Sequence, residues 1–231
     1  MVKYSEHIQE EEIRKSLILD IDDFTDAELE NSRLLFARTS KFVTSVASNS
    51  GYPLHNKREI AFAGRSNVGK SSLINSITEV TGLARVSNTP GRTQMINFFS
   101  QDDAFFLVDL PGFGYAKASK DAIKKWKNLT YDYLQGRKEL ELVFFLIDSR
   151  HGIKEIDENI MDILDSAAVS YQIVMTKYDK INKSQSQKLI EATNEKISKR
   201  AAARPGILVS SSKDKYGIDI IRALIYRIIN T

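Results

Sequence analysis

Nine consecutive residues carry the densest chemistry in the chain: Gly64-Arg65-Ser66-Asn67-Val68-Gly69-Lys70-Ser71-Ser72. They fit the phosphate-loop pattern G-x-x-x-x-G-K-[ST]. Glycines let the backbone close around phosphate oxygens without a Cβ clash, and successive N–H groups then converge on an anion. The apolar run Glu59-Ile60-Ala61-Phe62-Ala63 precedes the loop at strand length, and Leu73-Ile74-Asn75-Ser76-Ile77 opens a helical pattern after it. A helix starting there adds the positive end of its dipole. In this reading Gly64 to Ser71 cradle phosphates, Lys70 reaches the β- and γ-phosphates, and the Ser71 hydroxyl takes Mg²⁺. A glycine-rich turn that matches by chance is the bland alternative. The strand before and the helix after weigh against it.

Three further stretches sharpen the chemistry. In Phe105-Phe106-Leu107-Val108-Asp109-Leu110-Pro111-Gly112, Asp109 ends an apolar strand, where a Mg²⁺-side carboxylate belongs. Gly112 can set a backbone N–H beside the γ-phosphate, with Leu110 and Pro111 between. In Thr176-Lys177-Tyr178-Asp179, the Asp179 carboxylate can accept both N1–H and the 2-amino group of guanine. Adenine would leave it unpaired, a penalty large enough to discriminate by orders of magnitude. Lys177 would lie along the base, and Thr176 stands where many GTPases have Asn. The turn Ser210-Ser211-Ser212 follows a strand and can offer N–H groups to the guanine O6. Each stretch alone is weak, but their order and spacing make chance a poor account. Between the first two lies Ser87-Asn88-Thr89-Pro90-Gly91-Arg92-Thr93-Gln94-Met95. A GTPase needs a threonine here to complete Mg²⁺ coordination and close over the γ-phosphate. Thr93 is preferred and Thr89 is the alternative, with Gly91, Arg92, Gln94 and Met95 lining the nucleotide. Lys70, Thr93 and Gly112 are thus the catalytic candidates, and Ser71 and Thr93 the metal ligands, with Asp109 acting indirectly. After Gly112 comes Phe113, where many GTPases place a water-orienting Gln. Phe cannot bond to water, so either hydrolysis is slow or another group or partner positions the water.

The elements that must hold these residues alternate. Strand-like runs fall at 59–64, 104–109, 141–148, 171–176 and 206–210, with pairing near 94–100. Helix-like stretches fall at 70–79, 118–136, 156–167, 184–202 and 217–229. This alternation predicts an α/β fold with three layers: a mostly parallel central sheet with helices on both faces, as in P-loop GTPases. Runs such as Leu142-Val143-Phe144-Phe145-Leu146-Ile147 are apolar on both faces, as buried parallel strands are. Ligands in such sheets sit at the strands' carboxyl ends, where every motif falls. Residues 1–50 read as an N-terminal extension, a helix near 27–38 and an edge strand near 40–46, packed on the core or partly disordered. Residues 56–231 read as the nucleotide-binding domain.

Composition sets outer bounds. With no cysteine, disulfides, thiol catalysis and cysteine-bound metals are excluded. A net charge of +3 permits a polyanionic partner without demanding one. No long apolar run indicates a membrane span and no secretory signal is evident, so a cytoplasmic monomer is expected. Lys120, Lys124, Lys125 and Lys127 around Trp126, Arg150 with His151, and Lys199, Arg200 and Arg204 are candidate RNA contacts. Charge clusters on helices are more often solvated faces.

The phosphate-loop stretch through Asn75, Thr89-Pro90-Gly91-Arg92-Thr93-Gln94 and Asp109-Leu110-Pro111-Gly112-Phe113-Gly114-Tyr115-Ala116 closely resemble the EngB/YihA/YsxC GTPases of bacteria, within the TrmE-Era-EngA-EngB-Septin-like superfamily. Trp126, Tyr133, Leu134, Arg137 and Asp148-Ser149-Arg150-His151-Gly152 agree. The resemblance covers roughly residues 38–230. It departs at the long N-terminal extension and at Gly152-Ile153, where the family more usually has a proline turn. It implies a Mg²⁺-dependent GTPase, slow on its own, that binds GTP and GDP and assists assembly of the large ribosomal subunit, through rRNA and ribosomal proteins. It also carries an association with cell division and septation. In some related GTPases an Asn at the position of Asn67 helps hold a monovalent cation, which makes K⁺ a candidate second cofactor. A non-catalytic module of septation acting through protein partners is the competing reading. Asp179 disfavours an ATP-dependent kinase.

Overall fold

The computed structural model describes residues 17–85, 95–114 and 120–231, of which 120–127 are described by their backbone alone. The chain builds a seven-stranded sheet from β1 (Ser40–Val46), β2 (Glu59–Gly64), β3 (Ile96–Gln101), β4 (Phe105–Asp109), β5 (Leu140–Asp148), β6 (Tyr171–Thr176) and β7 (Leu208–Val209). The strand order is β1-β3-β4-β2-β5-β6-β7. β2 pairs in parallel with β4 and β5, and β6 with β5 and β7. Of the pairings between these strands, only β1–β3 and β3–β4 are antiparallel among the described residues. The loop-bearing β2 is therefore central, flanked by the strands that end in Asp109 and Asp148.

Side-chain alternation along β5 divides the core. Val143, Phe145 and Ile147 join one buried cluster, and Leu142, Phe144 and Leu146 the other. The first cluster takes in Tyr133 and Leu134 of α3 (Lys120–Gly136), Met161 and Leu164 of α4 (Glu155–Ser166), and Ile190 and Ile197 of α5 (Lys183–Ile197). The second takes in Leu35 and Phe36 of α1 (Asp26–Phe36), Leu73, Ile74 and Ile77 of α2 (Lys70–Thr78), and Ile221, Leu224 and Ile225 of α6 (Ile218–Asn230). Among the described residues three helices cover each face, which is the three-layer α/β arrangement the alternation predicts.

Local chemistry sets the boundaries. Thr25 and Glu28 cap α1 reciprocally: the Thr25 hydroxyl accepts the Glu28 N–H at 3.2 Å, and the Glu28 carboxylate accepts the Thr25 N–H at 2.8 Å. Helix α1 lies on α6, where Arg227 donates to both carboxylate oxygens of Glu28, at 2.6 and 2.9 Å, and sits over the Phe24 ring. β1 stands at one edge of the sheet beyond β3, and Leu17 and Leu19 bond Ile207 at the opposite edge. Residues ahead of β2 thus share both the sheet and the core with the rest of the chain.

Two elements are shorter than the sequence pattern implies by three residues or more. Helix α5 stops at Ile197 rather than 202, because Arg200 swings out to Asp162 and Asp165, and Ala202 and Arg204 bond the start of β6 and the end of α4. β7 keeps only Leu208 and Val209 of the expected 206–210: ahead of it Ile207 bonds Leu17 and Leu19, and after it the backbone of Ser211 pairs with Tyr216. Among the described residues no helix is long and apolar enough to cross a membrane.

Candidate functional site

The motifs converge on the carboxyl edge of β2, β4 and β6. β2 ends at Gly64 and α2 begins at Lys70, with the loop curled between them. The curl needs left-handed backbone at Asn67 (φ 62°) and Gly69 (φ 113°). Asn tolerates that region better than most residues, and glycine enters it freely. Helix α2 thus points its N-terminus, with Lys70 and half-buried Ser71 in the first turn, into the loop. Such an end is a ready anion site.

Asp109 closes β4 alongside. Lys70 Nζ lies 2.7 Å from Asp109 Oδ1, with both side chains nearly buried. The contact is an ion pair without hydrogen-bond alignment, so the buried Oδ1 makes no hydrogen bond among the described residues. Beyond it, the chain is stitched to the phosphate loop. Ser66 N–H donates to the Phe113 carbonyl at 2.9 Å, and Arg65 and Phe113 form a parallel bridge. Gly112 packs so closely that a Cβ there would stand 3.1 Å from the Ser66 Cα and Oγ. Leu110 and Phe113 are buried, and Phe113 stacks on Phe145. Phe113 is thus a core residue, and this segment turns backbone rather than apolar side chains toward the loop.

The turn that holds the guanine-side candidates leaves β6. The Thr176 hydroxyl lies 2.7 Å from the Val68 carbonyl and 3.2 Å from that of Ile147, tying β6 to the phosphate loop. Lys177, in the left-handed region at φ 56°, donates from Nζ to the Asn67 carbonyl at 2.6 Å and to Asp148 at 2.9 Å. Asp179 accepts from the Ser211 hydroxyl at 3.0 Å and lies 3.2 Å from Lys180 Nζ. Burial favours its neutral form, but the contacts from Lys180 and Ser211 outweigh it and hold the carboxyl below its ordinary pKa. A carboxylate kept ionised is the acceptor that guanine's two donors require.

The structure does not bring every candidate in equally. The Tyr178 hydroxyl bonds Ser186 and its ring stacks on Tyr216. The Ser210 N–H goes to Met175 and the Ser211 N–H to Tyr216, which leaves Ser212 with the uncommitted N–H of the three among the described residues. Met95 is exposed just ahead of β3. Thr89, Gly91, Arg92, Thr93 and Gln94 lie outside the described residues, as do Tyr115 and Ala116 and the side chains of Lys120, Lys124, Lys125, Trp126 and Lys127. Of the other basic candidates, Arg150 pairs with Asp148, Lys199 with Glu195, and Arg200 with Asp162 and Asp165. Two buried carboxylates stand around the site without a role assigned from sequence, although Asp148 lies in a segment that carries the family resemblance. Asp148 ends β5, and Asp157 in the first turn of α4 lies 3.3 Å from Arg65 Nε. Burial pushes the Asp157 carboxyl above its ordinary pKa, against the pull of the Lys154 N–H and Arg65.

Comparison with known proteins gives the family. A family model described as a 50S ribosome-binding GTPase matches residues 59–177. A protein of Roseobacter denitrificans named "Probable GTP-binding protein EngB" is 50% identical over 197 residues, covering 85% of this chain and 91% of its own. A protein of the same name from Brucella melitensis is 49% identical over 205 residues, covering 85% of each. Among solved structures, a probable GTP-binding protein engB superposes with a TM-score of 0.57 at 24% identity, over 74% of this chain and 98% of that one. Aquifex aeolicus Era Y63A bound to GDP·AlF4⁻ superposes with a TM-score of 0.61 at 22% identity, over 75% and 57%. These two likenesses concern the fold. Fold, site and family model define a P-loop enzyme that binds and hydrolyses GTP. Within that class, the chain belongs to the EngB family of GTP-binding proteins.

Proposed function

We propose that this GTPase is a Mg²⁺-dependent nucleotide switch in assembly of the large ribosomal subunit, with a slow intrinsic rate, and that normal division and septation depend on it. The observation that carries the switch is the stitching of Ser66 to Phe113, with Gly112 pressed on Ser66. Whatever occupies the phosphate loop must act on the segment that comes after Asp109. The ribosomal target is supported by the matching family's description.

The roles divide by position. Gly64 to Ser71 wrap the phosphates, with Lys70 and the N-terminus of α2 neutralising their charge. Gly112 offers its N–H to the γ-phosphate, with Asp109, Leu110 and Pro111 setting its height. Gly91 to Met95, with Thr93 foremost, close from the other side. Thr176, Lys177, Tyr178 and Asp179 form the guanine side, with Ser210, Ser211 and Ser212 behind. The donors present fit Mg²⁺. The described residues hold no group of three acidic, His or Cys side chains that would cage a metal, whereas Ser71 and the hydrogen-bond-free Asp109 Oδ1 are hard oxygens of the kind Mg²⁺ takes beside phosphates. Ser71 and Thr93 would hold the ion and Asp109 would act through its shell. When bound, the ion offsets charge on the β- and γ-phosphate oxygens. Asn67, whose side chain is exposed, would face K⁺.

Sedimentation of a cell extract with the protein loaded with a non-hydrolysable GTP analogue, and then with GDP, tests the target. Salt-sensitive travel with large-subunit particles in the GTP form alone is expected, with the free protein running as a cytoplasmic monomer. If it stays at the top of the gradient in both forms, the ribosomal role fails and a regulatory module of septation takes its place. Equal hydrolysis in K⁺ and Na⁺ would remove K⁺.

A further inference from the structure

Asp148 ends β5 on the carboxyl edge and has no part in the roles above. It is 4% exposed, yet every lone pair it offers is used. Oδ1 accepts the backbone N–H of Arg150 at 3.1 Å and its Nε at 2.9 Å, and Oδ2 accepts Arg150 Nη2 at 2.7 Å and Lys177 Nζ at 2.9 Å. Burial opposes its ionisation, but the hydrogen bonds from Arg150 and Lys177 prevail and hold the carboxyl below its ordinary range. Lys177 Nζ reaches on to the Asn67 carbonyl at 2.6 Å. One ammonium thus joins the end of β5, the turn after β6 and the crest of the phosphate loop. Asp148 is the carboxylate that Lys177 meets there. A lysine ammonium is a strongly hydrated point charge on a flexible stem, so without a fixed anion it turns to water. The left-handed backbone at Lys177 adds a reason for restraint, because that region is strained for a residue with a side chain.

We infer that Asp148 is a positioning residue for guanine-nucleotide binding: it pins Lys177 between the base-reading turn and the phosphate loop, while Arg150 occupies the lone pairs that Lys177 leaves. The inference rests on the assignment of Lys177 and Asp179 to the guanine side. Both loops are then set before the nucleotide arrives, which removes an ordering cost from binding. The contact lies away from the γ-phosphate, so GDP and GTP benefit equally. Asp179 is untouched, so the choice of base is unaffected.

The test compares dissociation constants for GDP and a GTP analogue in Asp148→Asn, Lys177→Met and the double variant. Asp148→Asn is expected to weaken both nucleotides by the same factor, about tenfold, mainly through faster release. That loss should vanish in the Lys177→Met background, because the two residues act through one contact. Lys177→Met alone should show the same equal loss, which keeps the test open if Asp148→Asn folds poorly. Wild-type affinities in Asp148→Asn with a lowered melting temperature, or a full extra loss in the double variant, would overturn the inference. Asp179→Asn, measured alongside, should move preference from guanine to xanthine, whose 2-oxo group accepts from the amide. If it keeps guanine, the base assignment falls and takes this inference with it. If it turns to xanthine while Asp148→Asn binds normally, only the inference falls.

Discussion

At the scale of single residues, the site depends on how closely backbone approaches backbone. Gly112 is the clearest case. A methyl at its Cα would stand 3.1–3.2 Å from the Ser66 backbone and hydroxyl. The segment would have to shift by a few tenths of an ångström and carry its N–H with it. Gly112→Ala should therefore lower single-turnover GTP hydrolysis by about a hundredfold, as small misplacements of catalytic groups do. GDP binding, which does not use that N–H, should change little. A wild-type rate would remove Gly112 from the machinery. The motif residues were legible in sequence because their chemistry is tied to type and spacing: Lys70, Asp109 and Asp179 each end a recognisable run. What Thr176 does was not legible. Its hydroxyl reaches the Val68 carbonyl, a contact between positions 108 apart in the chain, and the type Thr alone does not announce it. The contacts of Asp148 with Lys177 and of Asp157 with Arg65 were hidden for the same reason, since these partners come from elsewhere in the chain.

At the scale of elements, periodicity located every strand and helix of the core, because parallel strands buried on two faces and helices with one apolar stripe read differently. Ends were harder to place. Arg200 leaves the helical path because Asp162 and Asp165 of α4 capture it, and nothing within 184–202 says so. The seam between α1 and α6 makes its own prediction. Hydrogen bonds from Arg227, then from the Thr25 N–H, bring the Glu28 pKa from 4.5 down to about 2. A carboxyl with a depressed folded pKa contributes stability above its unfolded pKa and loses it as pH falls toward the folded value. The stability difference between the protein and Glu28→Gln should therefore stay level at neutral pH and close as pH drops from about 4.5 to about 2. The pair is partly exposed, so added salt should shrink the difference. Thermal melts across that range check this, and a difference that persists at pH 2 would show that the seam does not depend on the Glu28 charge.

At the scale of the whole molecule, the two ends of the sheet have different tasks. The carboxyl edge gathers the loop of residues 64–71 and the turn after β6. At the other end, buried Glu59, the first residue of β2, collects the Tyr133 hydroxyl at 2.7 Å, Arg137 at 2.6 and 2.8 Å, and His55 at 3.2 Å. Burial, with Glu59 beside it, pushes the Tyr133 hydroxyl well above its ordinary pKa, so it stays a donor. Tyr133→Phe would strip one donor from a buried carboxylate, at a cost of about 1–3 kcal/mol. Chemical denaturation should show that loss while GDP affinity is unchanged. A fall in affinity instead would mean that the two ends are coupled.

The seam between α1 and α6 also has a consequence in time. Glu28 and Arg227 lie 199 positions apart, and Leu17 and Leu19 wait likewise for Ile207. At about 5–20 residues per second, a ribosome finishes Arg227 roughly 10–40 s after Glu28. Over that interval the part of α1 that packs on α6 has emerged without its cover. The segment synthesised early is thus among the last to find its place, and the newborn chain depends on its own completion to be safe from wrong company.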